Sequence, residues 1–134
     1  MTSSTPEVVH TEQAPKALGP YSQGIRVGGF VYTAGQGGID PQTGQIVEGG
    51  VEAETRQVWR NLTAVLEASG SSLASVVKVN VYMVDLNDFS QMNAVYAEFF
   101  PTTKPARTTV QVAALPRGLL VEIDCVAVVP EQGG

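Results

Sequence analysis

The hydrophobic pattern of this chain changes period along its length. Over residues 51–69 the apolar or semi-apolar positions are Val51, Thr55, Val58, Leu62, Val65 and Leu66, the spacing of one helical face. Gly70 follows, where a left-handed residue ends a helix. Residues 76–84 alternate instead, with Val77, Val79, Val81 and Met83 on one side and Val76, Lys78, Asn80, Tyr82 and Val84 on the other, as in a strand. Residues 88–100 return to helical spacing, with Phe89, Met92, Tyr96 and Phe99 as the buried stripe and Asp88 with Gln91 resembling a capping box. Residues 21–27 and 30–34 read as two strands joined by the hairpin signal Gly28-Gly29. Residues 107–112 and 119–129 read as two more, and 35–50 as a turn-rich loop containing Asp40-Pro41-Gln42-Thr43-Gly44. The predicted order is β-β-α-β-α-β-β, an α+β domain with one sheet and two helices. It occupies residues 14–130, between a frayed, flexible arm (1–13) and a short tail (131–134).

Two helices cover one face of a sheet, yet these strands are apolar on both. In the last strand Val121, Ile123, Cys125, Ala127 and Val129 point one way; Leu120, Val126 and Val128 point the other, beside Glu122 and Asp124. A face this apolar needs a cover. A second copy of the chain is the simplest one, and the loop and arm are the alternative. The composition fits. Of 134 residues, 43% are hydrophobic and only 16% charged, against about 25% charged in a typical domain. A net charge of −5 opposes binding to a nucleic-acid backbone. One cysteine and one histidine exclude an internal disulfide and a His/Cys zinc cluster, leaving only a carboxylate metal site open. There is no apolar run of membrane-spanning length, and the polar, Arg-free arm reads as neither signal nor transit peptide. The expectation is a cytoplasmic protein with no membrane partner.

Most catalytic devices are missing. Gly35-Gln36-Gly37-Gly38 does not fit a phosphate-cradling loop, and no Gly-x-Ser-x-Gly elbow exists. The lone His10 lies in the arm. Cys125 reads as a small buried hydrophobe and Trp59 as a packing residue. Arg107 and Glu122 are different. A carboxylate among apolar strand neighbours needs a partner. They form either a structural ion pair or a site in which a guanidinium fork binds a carboxylate and a glutamate orients or deprotonates a water. The second reading points to a small carboxylate-bearing substrate attacked by water, without metal, histidine or cofactor.

Five segments then resemble a known family. They are Gly19-Pro20-Tyr21-Ser22-Gln23-Gly24, Gly35-Gln36 with Asp40-Pro41-Gln42-Thr43-Gly44, Val84-Asp85-Leu86-Asn87-Asp88-Phe89, Pro105-Ala106-Arg107-Thr108-Thr109-Val110, and Leu115-Pro116-Arg117-Gly118 with Val121-Glu122-Ile123. In this order and spacing, over residues 14–129, they resemble the Rid family (RidA/YjgF, also called the endoribonuclease L-PSP family). The resemblance implies a chorismate-mutase-like α+β fold with an antiparallel-to-mixed sheet. It also implies homotrimers with clefts between subunits, and hydrolysis of reactive 2-imino acids such as 2-iminobutanoate and 2-iminopropanoate to 2-keto acids and ammonia. By position it makes Arg107 the carboxylate anchor and Glu122 the residue that holds the attacking water. Tyr21 and Asn93 become cleft residues, and Gly35 a backbone contact near the substrate. Ala34 and Thr109 are also placed at substrate-binding positions, Ala34 where many members have Ser and Thr109 where some have Cys, and Gly37-Gly38 replaces a bulkier step. The alternatives are a non-catalytic, chaperone-like oligomer that binds small carboxylates and, weakest, a ribonuclease.

Overall fold

The computed structural model describes residues 4–131. Its strands are β1 (Glu7–Val9), β2 (Gly24–Val27), β3 (Phe30–Thr33), β4 (Gln36–Gly37), β5 (Val76–Met83), β6 (Ala106–Gln111) and β7 (Val121–Val128). Two helices, α1 (Gly50–Ala68) and α2 (Phe89–Phe99), complete the domain. The sheet order is β1-β2-β3-β7-β5-β6, with β4 pairing β7. Every pairing is antiparallel except β5 with β6. That parallel pair needs a crossover, which α2 supplies.

The core lies on the helical side of the sheet. Val58, Leu62, Val65 and Leu66 of α1 and Met92 of α2 pack against Val79, Val81, Val121, Ile123 and Ala127, all fully or almost fully buried. Trp59 joins the two helices, meeting Phe100 edge-on at 4.8 Å and Tyr96 at 5.6 Å. Cys125 is buried here, and burial pushes its thiol up to about 12, the state of an inert hydrophobe. The other face stays open. Phe30, Tyr32, Val77, Val110 and Val128 are each more than a third exposed, so neither the loop nor the described part of the arm covers it.

Local chemistry explains the elements. α1 ends as predicted: Gly70 has φ +89°, and the amides of Gly70 and Ser71 bond the carbonyls of Glu67 and Leu66, a Schellman closure. Gly28 and Gly29 both have positive φ, which a tight two-residue hairpin requires. Among the described residues, no helix is long and apolar enough to cross a membrane.

Four details correct the sequence reading. Part of the expected frayed arm is β1, which pairs with β2 and is tied by an Arg26–Glu7 bridge of 3.1 Å; residues 1–3 of the arm and 132–134 of the tail lie outside the described residues. The turn-rich loop contains β4, whose Gln36 and Gly37 pair with Ile123 and Glu122. A register irregularity between Val76 and Lys78 turns Val76 inward and leaves Val77 43% exposed, the reverse of simple alternation. Asp88 makes no side-chain cap for α2; Asp85 accepts from the Asn87 amide at 2.9 Å and opens a 3-10 turn, Leu86–Asp88, that runs into α2.

The glycine that follows β4 has a packing cause. A methyl on Gly38 would lie 2.6 Å from Glu54 Cα and 2.8 Å from its Cβ, against the body of α1. Gly38→Ala is expected to lower stability by about 1–3 kcal/mol through overpacking. A chemical-denaturation midpoint equal to that of the parent would refute this.

Candidate active site

Glu122 follows from the alternation of β7. Its neighbours Val121 and Ile123 face the core, so its own side chain faces away from the helices. It pairs with Tyr82 of β5 and Gly37 of β4. Gly35 runs so close that a Cβ there would sit 2.5 Å from Glu122 Oε2. The carboxylate lines a cleft of about 630 Å³ with Leu18, Tyr21, Gly35, Ile39 and Leu119. No described side chain donates a hydrogen bond to it. Burial first, and then the negative charge of Asp124, hold its acid above the ordinary value of 4.5. Asp124 itself accepts from Asn80 at 2.9 Å and Tyr82 at 3.2 Å.

Arg107 follows from the parallel ladder. It pairs with Val79, a core-facing residue, and points to the helix side of β6. Its Nη1 donates to Asn93 Oδ1 at 2.8 Å. Its guanidinium carbon lies 4.6 Å from the ring centre of Tyr96 and 5.5 Å from that of Phe89. It lines a second cleft, of about 450 Å³, with Asn93, Tyr96, Phe100, Lys104 and Pro105. Lys104 Nζ donates to the Phe100 carbonyl at 2.8 Å, at the end of α2. Among the described residues no carboxylate pairs with Arg107, so most of its donors are free for an anion.

The sheet therefore separates the two groups. Within one chain Arg107 and Glu122 lie on opposite faces and line different clefts, and the ion pair that the pattern left open does not form. Tyr21 and Gly35 stand with Glu122, and Asn93 with Arg107. Tyr21 is 54% exposed, and its hydroxyl accepts from the Leu18 amide at 3.2 Å. Thr109 is two residues along β6 from Arg107, with a buried hydroxyl that finds no partner among the described residues. Ala34 is half-buried, tied to the Gln23 carbonyl at 2.9 Å, and outside the lining of both clefts.

Three supporting residues are not among the site residues expected from the sequence. Gln23 is buried, and its side chain holds Thr11, Ala14 and Pro15 through four bonds of 2.7–3.3 Å, fixing the segment that leads to Tyr21. Glu54, also buried, accepts from the Leu120 amide at 2.9 Å and so anchors the chain just ahead of Glu122. Burial raises its pKa, opposed by the amides of Leu120 and Val121. A buried polar side chain on an apolar helical stripe was the available signal for Glu54. Tyr96 lies beside Arg107 as well as in the core. Among the described residues its buried hydroxyl makes no hydrogen bond of good geometry, and burial raises its pKa against the opposing influence of the neighbouring Arg107.

Comparison with known proteins places this geometry. Residues 11–129 match the Endoribonuclease L-PSP family. A RutC family protein from Pyrococcus horikoshii is 54% identical over 121 residues, spanning 90% of this chain and 96% of that protein. The mouse (Mus musculus) protein named 2-iminobutanoate/2-iminopropanoate deaminase is 46% identical over 128 residues, spanning 96% and 95%. The crystal structure of a Thermotoga maritima protein described as a putative endoribonuclease superposes with a TM-score of 0.89 at 46% identity, covering 95% of this chain and 98% of that one. With its sheet order, its motifs and its full-length relatives in agreement, the chain belongs to the endoribonuclease L-PSP family, the Rid family of proteins.

Proposed function

We propose that this protein hydrolyses reactive 2-imino acids, such as 2-iminobutanoate and 2-iminopropanoate, to 2-keto acids and ammonia. The observation that carries the reading is the unpaired guanidinium of Arg107, fixed by Asn93 in a cleft without a described acid. The name of the mouse relative supports the same chemistry. Arg107 binds the substrate carboxylate through its fork. The protonated imine carbon is already electrophilic. Glu122 accepts a proton from water as the oxygen adds to that carbon, giving a carbinolamine. Glu122 returns the proton to nitrogen; as the C–N bond breaks and ammonia leaves, the carbinolamine hydroxyl gives its proton back to Glu122, its O–H electron pair forms the C=O bond of the keto acid, and the proton departs with ammonia as ammonium. Orientation and a general-base contribution of about 10²–10⁴-fold are adequate for a substrate that also hydrolyses unaided.

This mechanism needs both groups in one cleft, and one chain holds them on opposite faces of its sheet. The reading therefore includes a homotrimer in which Arg107 of one copy meets Glu122 of the next across an interface. The open apolar face, with Phe30, Tyr32, Val77, Val110 and Val128 exposed, supports such an assembly. Tyr21 and Gly35 then come with the Glu122 copy, and Asn93 and Thr109 with the Arg107 copy. Ala34 acts through the backbone that carries Gly35.

A coupled assay tests the activity. A dehydratase generates 2-iminobutanoate from threonine, and 2-oxobutanoate formation is followed with and without this protein. Acceleration supports the reading; none with imines of several amino acids would replace it with a carboxylate-binding oligomer. Mixing tests the shared site. Arg107→Ala and Glu122→Gln chains, each inactive alone, are unfolded and refolded together. Random assortment at a one-to-one ratio restores about a quarter of wild-type activity if each site draws one group from each of two copies. No recovery from correctly sized mixed oligomers would place both groups in one chain's site.

A further inference from the structure

Phe89 is not where its periodicity puts it. It belongs by spacing to the stripe of Met92 and Tyr96, yet it is 37% exposed while Met92 is fully buried. Its ring lies 5.5 Å from the guanidinium carbon of Arg107, which also covers the Tyr96 ring at 4.6 Å. Residues 89, 93 and 96 are spaced i, i+4, i+7 on α2, so one helical face offers a ring, an amide oxygen and a second ring to one cation. The crossover then returns the chain to β6 so that Arg107 meets that face.

A cation in this position has a conflicting requirement. Held by a carboxylate it would be satisfied, but its fork would be occupied. Left alone, its flexible side chain would sample many rotamers, and ordering it would weaken every anion it bound. Aromatic faces resolve the conflict, because they attract a guanidinium without using its N–H donors or cancelling its charge. Asn93 takes a single hydrogen bond and fixes the rotation of the group about its plane.

We propose that Phe89 is a positioning residue: with Tyr96 it forms an aromatic cradle that holds the Arg107 guanidinium ready for a carboxylate. The proposal rests on the reading of Arg107 as the carboxylate anchor. Phe89 touches no reacting atom and acts through Arg107. Its exposure has the same cause, since a ring turned toward the cleft cannot also pack in the core.

The test is an NMR titration of the intact oligomer with 2-oxobutanoate, beside steady-state imine hydrolysis and thermal unfolding. Phe89→Leu keeps an apolar side chain at the first position of α2 but removes the π face. It is expected to raise the Kd for 2-oxobutanoate by about two- to five-fold, the range of an exposed cation–π contact. KM rises by the same factor and kcat carries little of the loss. Phe89→Tyr keeps the ring and brings Kd back toward the wild-type value. An unchanged Kd in Phe89→Leu, or equal losses in the Leu and Tyr variants, overturns the cradle, and a change confined to thermal stability does the same. Wild-type protein that binds 2-oxobutanoate but does not accelerate hydrolysis defeats the deaminase reading alone, with the cradle still decided by Kd. Wild-type protein that binds no 2-oxobutanoate defeats both.

Discussion

Arg107→Ala is expected to lower kcat/KM for imine hydrolysis by about 10²–10³-fold, leaving little above the spontaneous rate. The size follows from losing a charged, bidentate partner for the substrate carboxylate, a loss of about 3–4 kcal/mol. The side chain is half-exposed on an edge strand, and it is held by a hydrogen bond to Asn93 and by the Tyr96 ring rather than by the core. Removing it therefore leaves the core intact, and the oligomer mass by sedimentation should not change. Arg107→Lys separates charge from geometry: it keeps the cation, loses the planar fork, and should retain part of the activity. Full acceleration by Arg107→Ala in a correctly sized oligomer would remove Arg107 from the mechanism.

What could be read from the sequence follows the range of the interactions involved. α1 was legible because its stripe and its closing Gly70 are local, and the β2–β3 hairpin because Gly28-Gly29 specifies its own turn. β1 and β4 were not. They contain three and two residues, too few to alternate, and exist because longer neighbours offer them edges. Val77 was misplaced because a bulge belongs to the pairing of two distant strands and leaves no mark on either. The site divides in the same way. Arg107 and Glu122 could be chosen by chemical type, since a charge in an apolar strand needs a reason. Their placement on opposite faces depends on the register of β6 and β7 against β5, which no local pattern encodes. Phe89 was absorbed into the core stripe because spacing gives direction around a helix but not what lies there. The cation it meets is 18 residues further along the chain.

Glu122→Gln is expected to cut kcat by about 10²–10⁴-fold, the usual share of a positioned base, with KM nearly unchanged because Arg107 still binds the carboxylate. The pH profile gives the sign. Burial and the charge of Asp124 both disfavour ionised Glu122 and raise its pKa above 4.5. The base works only when ionised, so activity is present above this raised value and is lost as pH falls through it. Asp124→Asn removes the like charge but not the burial. It should move the acid limb to lower pH while keeping it above the ordinary carboxylate value. Asn keeps an acceptor oxygen for Asn80, and its amide nitrogen donates to the Tyr82 hydroxyl, which accepts in place of donating, so the local network survives with one bond reversed. Gly35→Ala reaches the same carboxylate by sterics, placing a methyl 2.5 Å from Oε2. It should lower kcat without weakening carboxylate binding. An acid limb that persists unchanged in Glu122→Gln would assign it to another group and leave Glu122 no part in activating the water.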